Sequence, residues 1–184
     1  PRNASRSCTR ASARSRGYAR VSAPTPDYLA LLSALKAHGV DFIVVGGVCA
    51  VLHGAPIATF DLDVVHSRSP ENIDRLLKAL GSLKATSRSH LDRKIVPGRS
   101  HLASPGHQLL MTAHGPLDLL GSVGTGRGYD ELLPHTAELY IKADLTVRLL
   151  HLETLIALKE ETAHEKDLAV LPLLRRTLAE RDRS

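Results

Sequence analysis

The sequence predicts an α/β (α+β) fold, in which a small mixed β-sheet is flanked by helices and followed by a C-terminal helical pair. Three observations lead to this prediction. Residues 41–65 alternate between short apolar runs and glycine-containing breaks. Apolar residues recur at helical spacing over residues 26–38 and 69–80. From residue 151 the apolar period is helical and continues to about residue 180. Short strands alternating with amphipathic helices are typical of sheets packed against helices.

Residues 41–65 form the stretch around which the rest of the chain is organised. Residues 42–45 are apolar and mostly β-branched, which predicts a buried strand. Gly46 and Gly47 interrupt this run, and residues 48–53 are long enough for two helical turns. Residues 60–65 form a second predicted strand, which contains Asp61 and Asp63. The order is therefore strand, glycine turn, short helix and strand.

The two aspartates of the second strand indicate a cation site. Side chains two residues apart on a strand share a face, so we expect Asp61 and Asp63 to project together. Two adjacent like charges are unfavourable, and a cation between them removes that cost. Mg²⁺ is the usual cation for paired carboxylates that also meet substrate phosphates. Gly46 and Gly47 would let backbone N–H groups approach such a phosphate at the start of a helix.

The remainder of the chain supplies further strands and helices. We expect the helix over residues 69–80 to end at Gly81, and the polar residues 84–106 to form short strands or a loop over the mouth of the site. That segment contains four basic residues, Arg88, Arg93, Lys94 and Arg99. Residues 108–113 and 117–120 are predicted strands joined by a turn at 114–116, and residues 139–141 and 145–147 suggest a hairpin. The glycines at 121, 124, 126 and 128 are assigned to a loop.

The C-terminal part of the chain is predicted to be helical. A helix follows residue 151, and a second one runs from residue 165 to about 180, with Leu168, Leu171, Leu174 and Leu178 as its buried positions. We therefore divide the chain into a disordered basic tail (1–25), a core domain (26–150) and C-terminal helices packed on that core (151–184).

Charge and cysteine content limit the possible functions. Six arginines and no acidic residue lie in residues 1–24, and the remaining 18 Lys and Arg face 19 Asp and Glu. The predicted domain is thus nearly neutral and is not a general polyanion binder. Two cysteines cannot form a disulfide framework, which suggests a reducing, cytoplasmic compartment. No apolar run is long enough to cross a membrane. The tail could be a nucleic-acid-binding arm or, because no initiator Met precedes it, a segment outside the working protein.

A resemblance to a known family follows from these motifs. The apolar strand, Gly46-Gly47, a short helix and Thr59-x-Asp61-Leu-Asp63 resemble the signature of nucleotidyltransferases with the DNA polymerase β-like fold. The closer similarity is to small bacterial enzymes of the toxin and abortive-infection type. One departure is that residues 55–58 are Ala-Pro-Ile-Ala, where related sequences often have an arginine.

The resemblance implies a reaction and a set of site residues. The reaction would be metal-dependent transfer of a nucleotidyl group from a nucleoside triphosphate (NTP), such as ATP, to a hydroxyl or phosphate acceptor. Asp61 and Asp63, with Asp118 as a third carboxylate on a later strand, would bind two Mg²⁺ ions. Gly46, Gly47, Thr59 and Lys159 would contact the nucleotide.

Several alternatives remain open at this stage. The acceptor could be tRNA, as for a toxin-type enzyme with an antitoxin partner, or a small molecule. The fold could instead be kept for a non-catalytic role as a regulatory or toxin–antitoxin binding partner. A metallohydrolase is disfavoured because none of the ten histidines has His-x-x-x-His or His-Glu-x-x-His spacing.

Overall fold

The fold was analysed in a computed structural model that describes residues 25–89 and 94–183. The predicted tail over residues 1–25 lies almost wholly outside the described residues, as does Arg93. The helices are α1 (Tyr28–Ala37), α2 (Gly46–Leu52), α3 (Pro70–Ser82), α4 (Arg99–Ala103), α5 (Tyr129–Leu132), a 3₁₀ turn (Leu133–His135), α6 (Leu152–Thr162) and α7 (Glu165–Arg181). The strands are β1 (Phe42–Val45), β2 (Leu62–His66), β3 (Thr86–Ser87), β4 (His107–Thr112), β5 (Gly115–Leu120), β6 (Thr136–Lys142) and β7 (Leu145–Leu150).

The strands form one mixed seven-stranded sheet with the order β3-β4-β5-β2-β1-β7-β6. The β2–β5 and β1–β7 pairs are parallel, and the other four pairs are antiparallel. The central strands β1, β2 and β5 are almost wholly buried, which explains why they are mostly apolar and why β1 is a continuous apolar run. The predicted α/β fold with a mixed sheet flanked by helices is therefore confirmed.

One hydrophobic core joins the sheet to the helices. Its fully buried side chains come from α1, β1, β2, α3, β5 and α6, among them Leu35, Ile43, Leu62, Leu76, Leu117 and Leu152. Helix α3 is capped by the preceding residue, Ser69, whose hydroxyl accepts a hydrogen bond from the Asn72 N–H at 3.2 Å. Pro70 at the first position and Glu71 in the first turn also favour a helix start there. These features explain why α3 begins at Pro70.

Several boundaries differ from the sequence-based prediction. Helix α2 begins at Gly46 itself, not after the glycine pair, and strand β2 begins at Leu62, so that Asp61 precedes the strand. The physical reason is that β1 ends at Val45, which is paired with Asp63, and that the pairing of β2 with β5 begins only at Leu62 and Leu117. Gly81 does not end α3, which continues to Ser82 and is followed by Lys84 with a φ of 53°.

The structure also differs from the prediction in the polar segment and in the C-terminal helices. The short helix α4 was not predicted, because its five residues carry only one buried leucine, Leu102. The β4–β5 turn is shorter than expected, since β5 already begins at Gly115. In α7, Leu171 and Leu174 are buried as predicted, but Leu168 is 47% exposed. Leu168 lies in the first turn of α7, next to residues 163–166, which are exposed too.

None of the helices in the described part of the chain combines the length and the hydropathy needed to span a bilayer.

Candidate active site

Strand register brings together two carboxylates that are 55 positions apart in the sequence. Asp63 on β2 lies directly opposite Asp118 on the parallel strand β5. Paired positions place their side chains on the same face of the sheet. Asp61 projects from the segment just before β2. One carboxylate oxygen from each of Asp61, Asp63 and Asp118 lies within 4.8 Å of the others. We refer to these three residues as the carboxylate cluster.

The glycine pair leaves room for this cluster. Gly46 has a φ of +63°, and a Cβ atom at this position would lie 2.7 Å from Cγ of Asp63. A Cβ atom at Gly47 would lie 2.7 Å from Cβ of Thr59. Both distances are too short for carbon atoms. The Gly47 backbone N–H also hydrogen-bonds the Asp63 carboxylate and lowers its pKa. The glycine pair therefore allows α2 to pack directly against the segment that carries the aspartates.

The segment before β2 is held by hydrogen bonds that Thr59 makes with Asp61 and with α1. The Thr59 hydroxyl donates to the backbone oxygen of Asp61 at 3.3 Å and lies 3.5 Å from its carboxylate oxygen Oδ1. The Tyr28 hydroxyl donates to the backbone oxygen of Thr59 at 2.9 Å, which ties the segment to α1. Burial, followed by the charge of Asp61, raises the pKa of Tyr28. Asp61 is thus fixed at the cluster even though it lies outside the strand.

The electrostatics of the cluster favour binding of a cation. Burial, reinforced by the charges of Asp61 and Asp118, raises the pKa of Asp63 to about 7. Burial also raises the pKa of Asp118, although the neighbouring Arg88 guanidinium opposes this shift. Both raised pKa values mean that the folded protein destabilises the ionised forms of Asp63 and Asp118. A bound cation would reverse these shifts.

Two basic side chains lie at opposite sides of the cluster. On α6, the Lys159 ammonium donates to Asp167 at 2.6 Å, and its charge lowers the pKa of Asp63. The Arg88 guanidinium, from the residue after β3, forms an ion pair with Asp118. Both are partly buried, with side-chain exposures of 16% for Lys159 and 27% for Arg88. Together they offset part of the charge of the cluster.

The donor set fits Mg²⁺. Three carboxylates supply only oxygen ligands, which is the preference of hard divalent cations, and Mg²⁺ typically uses a few carboxylates together with water and phosphate oxygens. Burial is the first cause of the raised pKa values of Asp63 and Asp118, and a cation bound between these carboxylates would stabilise their ionised forms. The residues present therefore fit the metal that the sequence pattern implies.

The predicted site residues occupy the same region of the fold. Gly46, Gly47 and Thr59 line the Asp61–Asp63 side of the cluster, Asp118 lies across from Asp63, and Lys159 approaches from α6. Two residues near the cluster, Tyr28 and His107, were not expected there, and the His107 charge opposes the rise in the pKa of Asp118. Arg88 was expected only as part of the polar segment over the mouth of the site, and its ion pair with Asp118 was not predicted. No local signal identifies them, since each is brought to the cluster by strand register or by helix packing.

Comparison with known proteins supports the fold assignment. No protein-family model matches the chain, and no curated protein sequence matches it either. Among solved structures, the chain is similar to the lincosamide antibiotic adenylyltransferase LnuA in its lincomycin-bound form. That match has a TM-score of 0.53 and 14% identity, and it covers 80% of this chain and 94% of LnuA.

A second similar structure is a Thermotoga maritima protein provisionally described as a nucleotidyltransferase. It has a TM-score of 0.45 and 16% identity, with 85% of this chain and 88% of that protein covered. This score is too low to support an argument, so the assignment depends on the first match. The chain has the nucleotidyltransferase fold. Two members of its carboxylate cluster, Asp63 and Asp118, lie on β2 and β5, and Asp61 lies just before β2.

Proposed function

We propose that this protein is a metal-dependent nucleotidyltransferase that moves a nucleotidyl group from an NTP to a hydroxyl or phosphate acceptor. The observation that carries the proposal is the convergence of Asp61, Asp63 and Asp118, whose carboxylate oxygens lie within 4.8 Å of one another. The fold shared with an adenylyltransferase supports the reaction type. In this reaction an acceptor oxygen bonds to the α-phosphorus, the bond to the bridging oxygen breaks, and pyrophosphate leaves.

Each site residue has a proposed part in this reaction. Asp61, Asp63 and Asp118 would hold two Mg²⁺ ions. When bound, these ions would neutralise the triphosphate and lower the pKa of the attacking hydroxyl. Backbone amides of Gly46 and Gly47 would approach the phosphates, and Thr59 would hold the segment that carries Asp61. Lys159 offsets the negative charge of the cluster, and its contact with the phosphates stays a prediction.

The acceptor is proposed to be a small molecule rather than RNA. The near-neutral balance of the chain beyond its first 24 residues supports this choice, because RNA binding needs a concentration of basic side chains. The lincomycin-bound state of the similar adenylyltransferase also favours a small acceptor. Transfer to tRNA, with a toxin role and an antitoxin-type partner, is the second candidate, and ATP is the first donor to be tested.

Calorimetry with the full chain tests the proposal. We expect the wild type to bind NTPs only when Mg²⁺ is present, and Asp61→Asn/Asp63→Asn to lose this binding. Asp74→Asn is the control, since Asp74 is a surface carboxylate that is paired with Arg99 and does not belong to the carboxylate cluster. A folded wild type that binds no NTP in Mg²⁺ would contradict the proposal and favour the non-catalytic binding role. Labelled NTPs incubated with tRNA or with hydroxylated small molecules would then identify the acceptor.

A further inference from the structure

The Arg88–Asp118 ion pair differs from the other ion pairs between residues that the structure describes. Arg88 forms its salt bridge with Asp118, which belongs to the carboxylate cluster. Lys159, by contrast, is held by Asp167, and arginines such as Arg75 and Arg99 pair with surface carboxylates. Arg88 is thus paired with Asp118, a carboxylate that would bind a metal ion in the proposed function.

Strand register explains how Arg88 reaches the cluster. The Arg88 N–H donates to the Leu109 oxygen at 2.8 Å, which continues the β3–β4 pairing by one residue. Leu109 lies opposite Asp118 on β5, and Asp118 lies opposite Asp63 on β2. One row of residues therefore crosses four neighbouring chain segments, in the order Arg88, Leu109, Asp118 and Asp63. Arg88 and Asp118 are two strand spacings apart, about 10 Å, which an extended arginine and an aspartate bridge across Leu109.

Exposure indicates which side of Asp118 the arginine occupies. The Asp118 side chain is 9% exposed, whereas that of Arg88 is 27% exposed. Leu109, over which the arginine passes, is 41% exposed. Arg88 is therefore the more exposed member of the ion pair, and part of its side chain is accessible to a substrate that approaches from solvent.

The chemistry of the two partners favours an exchange. A guanidinium binds phosphate oxygens with the same forked geometry that it uses for a carboxylate. When a carboxylate binds a divalent cation, the cation neutralises part of its charge, so its attraction for an arginine is weaker. The cation also repels the guanidinium. The triphosphate that accompanies the metal brings new acceptors to the same place.

We propose that Arg88 is a phosphate-binding residue of the NTP site, which Asp118 holds in place in the metal-free protein and releases to the triphosphate when metal and NTP bind. This inference depends on the proposed nucleotidyl transfer and extends it by one residue. It also gives the chain a cation near the phosphates although residues 55–58 contain no arginine.

Binding measurements on Arg88→Gln and Arg88→Lys test this role without an activity assay. The probes are Mn²⁺ alone, the α,β-methylene analogue of the NTP that the wild type binds, and the matching nucleoside monophosphate. Arg88→Gln should bind the triphosphate analogue at least roughly tenfold more weakly, because one charge-assisted contact is lost. Its affinity for Mn²⁺ alone should rise, because a neighbouring positive charge is removed. Binding of the monophosphate should change little, and Arg88→Lys should recover part of the triphosphate affinity.

The control is Arg99→Gln, which removes an arginine from a surface ion pair with Asp74. We expect it to leave all three binding constants unchanged. Weaker Mn²⁺ binding by Arg88→Gln would overturn the proposal, because it would show that the arginine positions Asp118 for the metal. Triphosphate binding equal to that of the wild type would also overturn it, while leaving the nucleotidyltransferase assignment intact. A folded wild type that binds neither Mn²⁺ nor NTP would overturn both.

Discussion

At the residue scale, the glycine pair makes the carboxylate cluster possible by leaving space. Gly46 has a positive φ and lies directly over Asp63, while Gly47 lies over Thr59. Any side chain at these positions would push α2 away from the segment that carries the aspartates. Phosphate binding and close packing are therefore two separate reasons for glycine at this turn, and variants can separate them.

Gly46→Ala compared with Gly54→Ala measures the importance of this close packing. Both glycines have positive φ, at +63° and +93°, but no atom lies within 4 Å of a Cβ placed on Gly54. Gly54→Ala should therefore cost only backbone strain, about 1–2 kcal/mol in the free energy of unfolding. Gly46→Ala should cost more than this, because Asp63 must move, and it should weaken Mn²⁺ binding more than tenfold. Urea unfolding and Mn²⁺ titration provide both values, and equal effects of the two variants would contradict the packing role.

At the element scale, the site is assembled from pieces that are far apart in the chain. Strands β2 and β5 contribute Asp63 and Asp118, and the C-terminal helices contribute Lys159. Helices α6 and α7 are joined by the Lys159–Asp167 pair, whose side chains are only 16% and 14% exposed. The Thr162 hydroxyl also donates to Asp167, at 3.3 Å. This helix pair therefore contributes to both the stability and the charge balance of the site.

Lys159→Met is expected to lower the free energy of unfolding by about 3 kcal/mol, because Asp167 would be left largely buried without its counterion. It should also raise the pKa of Asp63 further, since the Lys159 charge lowers that pKa. Lys166→Met is the matched control, because Lys166 adjoins Asp167 but is exposed. We expect the control to change stability by less than about 0.5 kcal/mol. Urea unfolding of the three proteins gives the comparison, and equal stabilities of the two variants would rule out a structural role for the pair.

At the scale of the whole molecule, the site reduces the stability of the metal-free protein. Three carboxylates are brought together, and two of them have raised pKa values in the folded state. In the unfolded chain the same groups are solvated and separated. The folded protein therefore carries an electrostatic cost that metal binding would remove, as is common when a functional site opposes stability.

The pH dependence of stability measures this cost. The pKa of Asp63 is about 7 in the folded protein, compared with the ordinary value of 3.8. The folded state therefore binds an extra proton between about pH 4 and 7, and the contribution of Asp63 to stability is lost as the pH rises through this window. The loss is at most about 4 kcal/mol. We expect thermal unfolding in EDTA to show a smaller loss for Asp63→Asn than for the wild type.

Two further measurements complete this test. Adding Mg²⁺ at pH 8 should raise the Tm of the wild type but not that of Asp63→Asn, because only the wild type gains from metal binding. Asp74→Asn, on the surface, should behave as the wild type does in both conditions. Parallel pH profiles of the wild type and Asp63→Asn would show that Asp63 does not titrate in this range.

Local patterns in the sequence determined much of this protein. The α/β fold follows from the spacing of apolar residues, and Asp61 and Asp63 are close because a single residue separates them. The expectation that both lie on one strand was wrong, because Asp61 lies in a bend before β2, where the Thr59 hydroxyl holds its backbone oxygen. The beginning of β2 was mistaken because it depends on where the partner strand β1 ends. Helix α4 was missed because five residues carry too little periodicity to predict a helix.

Only the tertiary structure decided which distant residues meet. Asp118 lies opposite Asp63 because β5 pairs with β2 in one register, and Arg88 reaches Asp118 across a further strand. The sequence alone defined the chemical character of the site, namely glycine beside paired aspartates. Strand register, which depends on packing across the whole sheet, placed the third carboxylate and the arginine beside them.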